Sequence, residues 1–487
     1  MAFIDGTVVN VALPAIQRDL HATASAAQWV VESYALFLAA LLLVGGALGD
    51  RFGRRRIFAI GVALFALSSI GCALAADITQ LIAARAVQGI GGALLVPGSL
   101  ALISATYPEG ERGRAIGTWS GASGITAALG PVLGGFLVDR YSWIWAFLIN
   151  VPVAIAVLLI VWKRVPESHG QAEVGGLDGK GALLATLALG GIVFAFIEAP
   201  TQGWGAWPVM AALAIGVLGG AAFVVVERSV ASPMLPLRLF RIRNFAGANL
   251  LTLLLYAALG GGLFFFPLNL IQVQGYAASE AGAALLPFIV VMFLLSRWAG
   301  KLVDRVGSKL PLVVGSTIAA AGFALFAVPA ISSSYWTDFL PAVLVLSLGM
   351  AITVAPLTTT VMTSVGEELA GVASGVNNAV SRAAGLLAIA VFAMVMAAAF
   401  NTSLSERLLA LGASPEALAF YDTQRSLLAA AGVPAGVDTA TAASFKQAVQ
   451  LSFVAGFRWV MLLSAGLGVA SAISAWVLVD GKKTRPG

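Results

Sequence analysis

The sequence GALGDRFGRRR at residues 46–56 returns in the second half of the chain as GKLVDRVGSK at residues 300–309. Each copy follows one long apolar stretch and precedes another, so both are predicted to be loops between membrane-spanning helices. The glycines permit two helix ends to approach closely, and the aspartate and arginines can pair with each other and with helix dipoles. A repeat of this kind predicts a chain built from two related halves. Both copies lie at equivalent positions between two predicted helices, which argues against a chance match of the two sequences.

The composition excludes a soluble protein. Hydrophobic residues make up 59% of the 487 residues and charged residues only 10%, whereas soluble domains carry about 25% charged residues. About 20 apolar residues cross a bilayer core of about 30 Å, so this apolar content allows about fourteen spans. The chain is therefore predicted to be an all-α polytopic membrane protein, without a soluble domain large enough to hold an active site.

Apolar stretches between charged or turn-rich breaks predict fourteen helices. They lie near residues 1–16, 28–49, 57–76, 79–106, 115–138, 145–162, 181–199, 208–226, 246–271, 280–299, 310–331, 339–362, 372–399 and 452–479. The repeated loop joins helices 2 and 3 and then helices 10 and 11, which fits a six-helix repeat with helices 7 and 8 inserted between the halves.

This repeat predicts four parts of the chain. They are an N-terminal six-helix bundle at 1–162, a cytoplasmic linker with the inserted helices at 163–245, a C-terminal six-helix bundle at 246–479, and a cytoplasmic tail at 480–487. The second bundle contains one long outer segment at 401–450. Its Ala, Leu and Gly content with few charges predicts either a partly helical cap or a mobile loop.

The basic residues predict the orientation. The loops at 50–56, 107–114, 163–180, 227–245, 300–309 and 480–487 hold nineteen Lys and Arg, and the opposite loops hold five. Because basic loops stay in the cytoplasm, both termini are predicted to be cytoplasmic in a multi-pass protein of the cell (inner) membrane. The net charge of +5 is explained by this orientation and does not indicate nucleic-acid binding.

Motifs of common enzyme and nucleotide sites are absent from the sequence. Cys72 is the single cysteine, which excludes an intrachain disulfide and a CxxC site, and His21 and His169 fall in separate loops. The chain has no G-x-S-x-G, Walker A or H-E-x-x-H pattern. We therefore expect no enzyme, no metal and no cofactor, and any work that the protein does would draw on an ion gradient.

The repeated loop resembles the signature loop of the major facilitator superfamily, whose residues are thought to stabilise the conformer closed to the cytoplasm. The resemblance implies a conformational latch. Its residues are Gly46, Asp50, Arg51, Gly53, Arg54, Gly300, Asp304, Arg305 and Gly307. Anchoring by positive charge is the alternative for the trailing arginines. Similarity to the fourteen-span drug:proton antiporter branch runs from Asp5 to about Arg382 and implies the major facilitator fold, two six-helix bundles plus two inserted helices.

The sequence around Arg85 resembles the family's fourth-helix motif, whose arginine is implicated in proton coupling. An arginine at the centre of a span costs at least about 2.5 kcal/mol, so it requires a partner. Glu32 is the partner that the sequence indicates, because counting about 1.5 Å per residue from the outer helix ends gives both residues a similar depth. Pairing without a role in turnover, or snorkelling of both side chains to the surface, is the alternative.

The opening DGTVVNVALP at 5–14 resembles the first-helix motif of the fourteen-span branch, whose aspartate is a candidate proton carrier. An intramembrane carboxylate can take up and release a proton. Asp5, Glu32 and Arg85 are therefore the candidate proton-coupling residues. Sixteen residues make only about 24 Å of helix, however, so we expect Asp5 near the cytoplasmic edge, with the true start upstream of Met1 or helix 1 incomplete. A snorkelling aspartate at a helix end is the alternative.

Helix 5 resembles the antiporter signature of the family, which implies export rather than uptake. Thr126 stands where the signature has its second glycine. Small residues with one proline predict a kinked helix that packs tightly, and generic small-residue packing is the alternative. The residues concerned are Gly117, Thr126, Gly130, Pro131, Gly134 and Gly135.

Aromatic and charged residues in other spans complete the candidates. Trp29, Tyr34 and Phe265 are candidates for lining a cavity for a flat apolar substrate, and lipid or core packing is the alternative. Glu198, Arg382 and Arg458 are further charges within spans, where ionisable residues are functional candidates by default.

Together the resemblances imply a proton-coupled antiporter that exports amphipathic or cationic drugs by alternating access and has lipid, substrate and protons as its partners. Two alternatives stay open: a dedicated transporter of one metabolite, such as a siderophore, an amino acid or a sugar derivative, and a non-transporting membrane receptor or assembly subunit. Two copies of the latch argue against a static receptor. A periplasmic adaptor is also open, and the short outer loops favour a lone inner-membrane unit.

Overall fold

The first half of the chain consists of helices joined by short turns in its described residues. A computed structural model describes residues 1–106, 126, 129–169, 178–230, 233, 235–365 and 370–480, with no β-strand among them. The helices of the first half and the insertion are α1 (Ala2–Asp19), α2 (Ala24–Phe52), α3 (Arg54–Ala73), α4 (Ile78–Thr106), α5 (129–140), α6 (Ile144–Leu148), α7 (Asn150–Arg164), α8 (Gly179–Gln202) and α9 (Trp207–Ser229).

The second half follows a short 3₁₀ turn at Leu237–Arg241. Its helices are α10 (Arg243–Leu268), α11 (Ala278–Ala283), α12 (Leu286–Val306), α13 (Lys309–Phe326), α14 (Leu340–Thr363), α15 (Ala370–Ala410), α16 (Pro415–Gln424) and α17 (Thr439–Leu478). One π-helical turn, Asn269–Val273, extends α10, and another, Tyr335–Phe339, precedes α14. The all-α membrane fold predicted from the composition is confirmed.

Twelve helical stretches in the described ranges are long and apolar enough to cross a membrane. α1 is not among them, since its 18 residues include Asp5, Arg18 and Asp19. The predicted fifth helix lies mostly outside the described residues, which cover only its end as α5. The total of fourteen spans therefore stays a prediction.

Glycines in α4 bring three helices of the first half close together. Gly89 lies against the main chain of Tyr34 in α2, and Gly91 lies against the main chain of Phe65 in α3. A Cβ at either glycine would overlap backbone atoms, so α4 can pack this closely only with small residues there. This packing places Arg85, one turn before Gly89, inside the first half.

The inserted helices α8 and α9 form a pair beside the seam between the halves. Gly191 and Gly216 let the two helices touch along their backbones. On its other side α8 packs against both halves in one apolar cluster, which we call the seam cluster. Its buried members are Leu36 of α2, Val193 and Ile197 of α8, and Leu386 and Ala390 of α15.

Prolines divide two of the predicted helices. The sixth predicted helix is broken at Ile149 between α6 and α7, and the tenth is broken between α11 and α12. Pro152 and Pro287 lie just after these breaks. A proline nitrogen cannot donate to the carbonyl of the preceding turn, so the helical hydrogen-bond ladder is interrupted there.

The outer segment predicted at 401–450 is largely helical, so the mobile-loop alternative is wrong. α15 continues to Ala410 and α17 begins at Thr439, because their extensions bury Leu404 and Phe445 against the core. The Asp438 carboxylate caps α17 by accepting hydrogen bonds from the backbone N–H groups of Ala440 and Thr441. We call the intervening residues 411–438, which contain α16, the outer cap.

Candidate functional site

An ion pair lies at the centre of the first half. The Arg85 guanidinium of α4 and the Asp5 carboxylate of α1 are both fully buried, and Arg85 Nη1 lies 2.5 Å from Asp5 Oδ2. Arginine is costly within a bilayer, and a carboxylate partner compensates its charge. The pair therefore fixes α1 against α4.

Neutral side chains from three helices complete the hydrogen bonds of this pair. The other oxygen of Asp5 accepts from the amide nitrogens of Gln88 (2.9 Å) and Asn150 (3.1 Å). Gln88 also accepts from Arg85 Nη1 at 2.6 Å and donates to the Ser69 hydroxyl at 2.8 Å. We call Asp5, Arg85, Gln88, Asn150 and Ser69 the coupling network, which joins α1, α3, α4 and α7.

The remaining faces of the guanidinium meet α2. Arg85 Nε donates to the carbonyl of Val30 at 2.9 Å. The guanidinium carbon lies 4.2 Å from the centre of the Tyr34 ring, a cation–π contact that is strong where water is excluded. Nη2 finds no hydrogen-bond acceptor among the described residues. The guanidinium carbon also lies 5.8 Å from the centre of the Phe147 ring of α6. The arginine is thus held by one charge, two acceptors and two aromatic rings.

Glu32 is not the partner of Arg85, so that expectation was wrong. Equal depth did not decide the pairing, because Arg85 reaches α2 at the Val30 carbonyl rather than at the Glu32 carboxylate. Glu32 is fully buried, and neither of its carboxylate oxygens has a hydrogen-bond partner in the described part of the chain.

Asp5 does not lie near the cytoplasmic edge, so that expectation was also wrong. The length count started from the first residue of helix 1, whereas contacts with Arg85 and Gln88, in the first half of α4, set the depth of Asp5. No snorkelling position fits a carboxylate that is fully buried.

Each of the two predicted latch loops contains a glycine with a positive φ. Gly53 has a φ of 106° and Gly307 a φ of 78°, values that L side chains rarely adopt. Gly46 lies beside Pro97, a Cβ at Gly300 would meet open space, and the Arg51 guanidinium is 5.5 Å from the Phe52 ring centre. The side chains of Asp50, Asp304 and Arg305 lie outside the described residues, so the ion pairing of the latch stays a prediction.

The first latch loop has a partner that the sequence analysis missed. The Glu167 carboxylate, just after α7, accepts from the backbone N–H groups of Arg55 (2.9 Å) and Arg56 (3.2 Å) at the start of α3. The Arg54 N–H donates to the carbonyl of Ser168 at 2.8 Å. A carboxylate at a helix N-terminus accepts hydrogen bonds from the free N–H groups and interacts favourably with the helix dipole. The sequence signal for this contact was an acidic residue, Glu167, shortly after the sixth predicted helix.

The predicted antiporter helix contacts both halves. Gly117 lies outside the described residues, and Thr126 is partly buried. The other residues lie in α5. Gly130 and Gly134 lie against α1, Gly135 lies against the backbone of α11, and the Pro131 carbonyl meets Gly282 of α11.

A capping interaction accompanies this close approach. The Asp139 carboxylate at the end of α5 accepts from the backbone N–H groups of Ala278 (3.1 Å) and Ser279 (2.8 Å) at the start of α11. Gln272 donates to Gln17 at 3.0 Å nearby. We call these contacts the outer contact, after the predicted orientation, because they join the halves at the end opposite the basic loops.

The three candidate cavity aromatics have different surroundings. Trp29 donates its indole N–H to Glu198 of α8 at 3.3 Å, Tyr34 packs on Arg85, and Phe265 is buried among α10 and the outer cap. Trp29 and Tyr34 are on different faces of α2, which explains their separation. A shared substrate cavity for the three stays a prediction.

The second half holds a neutral counterpart of the coupling network. The Asn377 side-chain amide of α15 donates to the Asn249 side-chain oxygen at 3.2 Å and to the Thr252 hydroxyl at 2.6 Å, both on α10. Asn249 and Thr252 are buried. This amide–hydroxyl group, which we call the neutral cluster, joins two helices without a charged side chain.

Solved transporter structures share this arrangement. A bacterial homologue of the human lysosomal transporter Spinster, in an inward-facing and occupied conformation, aligns with a TM-score of 0.66 at 18% identity over 98% of this chain and 93% of that one. The xylose transporter XylE from E. coli, inward open, aligns with a TM-score of 0.57 at 16% identity over 99% and 94%. At these identities the likeness shows the fold alone.

Sequence relatives are resistance and export proteins. The tetracenomycin C resistance and export protein of Streptomyces glaucescens is 33% identical over 100% of this chain and 90% of its own length. A puromycin resistance protein of Streptomyces alboniger is 35% identical over 99% and 89%, and the multidrug resistance protein Stp of Mycobacterium tuberculosis is 37% identical over 84% and 76%. Residues 1–389 match the Major Facilitator Superfamily profile. The chain therefore belongs to the major facilitator superfamily, as a transporter rather than an enzyme.

Proposed function

We propose that the protein is a proton-coupled antiporter that exports amphipathic or cationic drugs across the cytoplasmic (inner) membrane by alternating access. Relatives named for resistance to tetracenomycin C, puromycin and several drugs support export of such compounds. The buried Asp5–Arg85 pair is the observation that carries the proton coupling.

Protonation of Asp5 would change the energy of the buried pair by an amount comparable to that of a conformational change. A proton on Asp5 removes the charge that compensates Arg85, and breaking a buried pair in this way costs about 3–5 kcal/mol. Shifting a two-state equilibrium from mostly one state to mostly the other requires about 5.5 kcal/mol. One proton on Asp5 would therefore supply a large part of this energy, and a bound substrate would have to supply the remainder.

α1 connects the coupling network with the outer contact. Asp5 lies in its first turns, and Gln17 near its end accepts the hydrogen bond from Gln272 of the second half. Gly130 and Gly134 of α5 pack against α1 between these points. A displacement of α1 after protonation of Asp5 would loosen the outer contact, and the outer mouth would open.

Glu32 has a different role in this proposal. Glu32 is fully buried and makes no hydrogen bond within the described residues, so no contact ties it to Arg85. Asp5, whose charge compensates Arg85, is therefore the proton carrier in this proposal. Glu32 is a buried polar group that does not take part in the coupling.

Everted membrane vesicles with an acidic interior test the proposal. Puromycin, tetracenomycin C and ethidium would be added while the pH gradient is recorded, and we expect at least one of them to collapse the gradient in vesicles that contain the protein. Glu406→Gln, an exposed carboxylate in the extension of α15, should behave as wild type. A panel without any response, in vesicles shown to contain the protein, would refute drug–proton antiport.

A further inference from the structure

A cavity of about 300 Å³ lies at the outer end of the molecule. It is bounded by α2, the inserted helix α8, α15 and the outer cap. Its volume is at the lower limit for sites of small organic ligands, about 300–1,000 Å³. Ala24, Ser25, Gln28, Ile197, Pro200, Ala393, Ala397, Asn401, Asp422, Arg425, Ser426 and Leu428 line it.

Two carboxamides line the cavity without hydrogen-bond partners among the described residues. Gln28 is 6% exposed, and its amide keeps some accessible surface. The Asn401 side-chain oxygen is buried and has no partner in the described part of the chain. A buried amide oxygen without a donor is costly, so a ligand or water that reaches Asn401 would satisfy it, and Gln28 offers a second polar contact in the same cavity.

The rest of the lining favours an amphipathic ligand. The Asp422 carboxylate and the Arg425 guanidinium form a 2.8 Å ion pair at the solvent-exposed rim. Ile197, Pro200 and Leu428 make apolar walls. The unpartnered Asn401 oxygen requires a donor, so the ligand would present N–H or O–H groups to the amides and an apolar body to the walls.

The cavity is bounded on two sides in this conformation, and its rim at Asp422 and Arg425 is open to solvent. The seam cluster lies on its inner side. On its outer side, Leu428 of the cap is buried with a φ of 53°. A non-glycine residue rarely adopts this conformation, and it persists only where packing enforces it. The cap is thus held in a strained position against the cavity.

We propose that this cavity is an outer binding site for amphipathic molecules that present N–H or O–H donors to Asn401 and Gln28. The site is separate from the coupling network. Its role as the last site before release rests on the proposed export function. The binding itself does not require proton coupling, so the two proposals can fail independently.

Ethidium is a suitable probe because it has a flat aromatic cation and two aromatic amines. Its binding to the purified full-length protein in lipid nanodiscs would be followed by fluorescence. We expect Gln28→Leu and Asn401→Leu each to weaken binding about fivefold, the value of one hydrogen bond. Gln447→Leu, at an exposed amide of α17, should bind ethidium as wild type does.

Protection of a cysteine locates the bound ethidium. The single native cysteine, Cys72, is buried, so Asn401→Cys can be labelled selectively with a trimethylammonium methanethiosulfonate. We expect ethidium at about ten times its dissociation constant to slow this labelling at least about fivefold. Labelling of Gln447→Cys should not change.

The combined results are decisive. Unchanged affinity in both leucine variants, no protection of Asn401→Cys, or no ethidium binding at all would overturn the outer site. Protection without any ethidium-driven proton flux would support the outer site and count against the proposed antiport. Ethidium-driven proton flux without protection of Asn401→Cys would support the antiport and count against the outer site.

Discussion

The two halves of the molecule use different chemistry at their buried polar centres. The first half holds Asp5 and Arg85 in a fully buried ion pair, whereas the second half holds Asn377, Asn249 and Thr252 in a neutral cluster. A carboxylate can exchange a proton, but amides and hydroxyls do not do so near neutral pH. The difference teaches that a repeated fold need not repeat its function: we expect the first half to sense protons and the second half to respond by packing.

Asp5→Asn should give the largest effect. The substitution leaves the Arg85 charge buried without a counter-ion, which costs about 3–5 kcal/mol of stability. It also removes the carboxylate that we propose as proton carrier. Thermal unfolding in detergent should shift strongly downward, and substrate-driven proton flux should fall to the level of empty vesicles.

A double variant separates stability from coupling. Asp5→Asn with Arg85→Gln removes both charges, so stability should recover in part, while proton flux should stay absent. If both stability and proton flux recovered, the coupling network would have only a structural role, and the first half would not be the proton-sensing half.

Asn377→Leu in the second half should have a smaller effect. It removes the donor to Asn249 and Thr252 and leaves their oxygens without this partner, which costs about 1–3 kcal/mol. Unfolding should shift modestly, and the ratio of protons to substrate should stay at the wild-type value. A changed ratio of protons to substrate would mean that residues of both halves take part in proton coupling.

Asp139→Ala tests the contact that joins the halves. Loss of the cap on α11 costs about 1 kcal/mol, so the outer contact should open about five times more often. A cysteine at Ala281, a fully buried residue of α11, should react correspondingly faster with an outside reagent. An unchanged rate would show that Asp139 does not hold the outer mouth closed.

Glu32→Gln should have the smallest effect. Glu32 has no hydrogen-bond partner in the described part of the chain, and the amide matches the shape of a protonated carboxyl. We expect stability to change by less than about 1 kcal/mol and proton flux to persist. Loss of flux with intact folding would transfer the carrier role from Asp5 to Glu32.

The sequence predicted the positions of most of the described helices because hydropathy is a local signal. Gly53 and Gly307 adopt the unusual backbone that a shared loop motif implies. The helices of the outer segment were harder to predict from the sequence. They are stabilised by burial of Leu404 and Phe445, and the segment itself does not show the long apolar stretch of a membrane-spanning helix.

The partner of Arg85 could not be found by counting depth. Depth restricts the candidates, but the rotation of each helix and the length of the arginine decide which carboxylate it reaches. Asn150 and Ser69 complete the network from helices distant in the sequence. Their roles depend on tertiary packing, for which a single sequence has no direct signal.

Substrate exchange in proteoliposomes tests the central claim most directly. Purified wild type and Asp5→Asn would be compared in two assays: exchange of labelled substrate at equal pH, and uptake of substrate driven by a pH gradient. The account predicts that Asp5→Asn, compared at equal amounts of folded protein, loses gradient-driven uptake, and that whatever exchange it retains no longer changes with pH, because the proton carrier is absent. Gradient-driven uptake by Asp5→Asn at the wild-type level would contradict it.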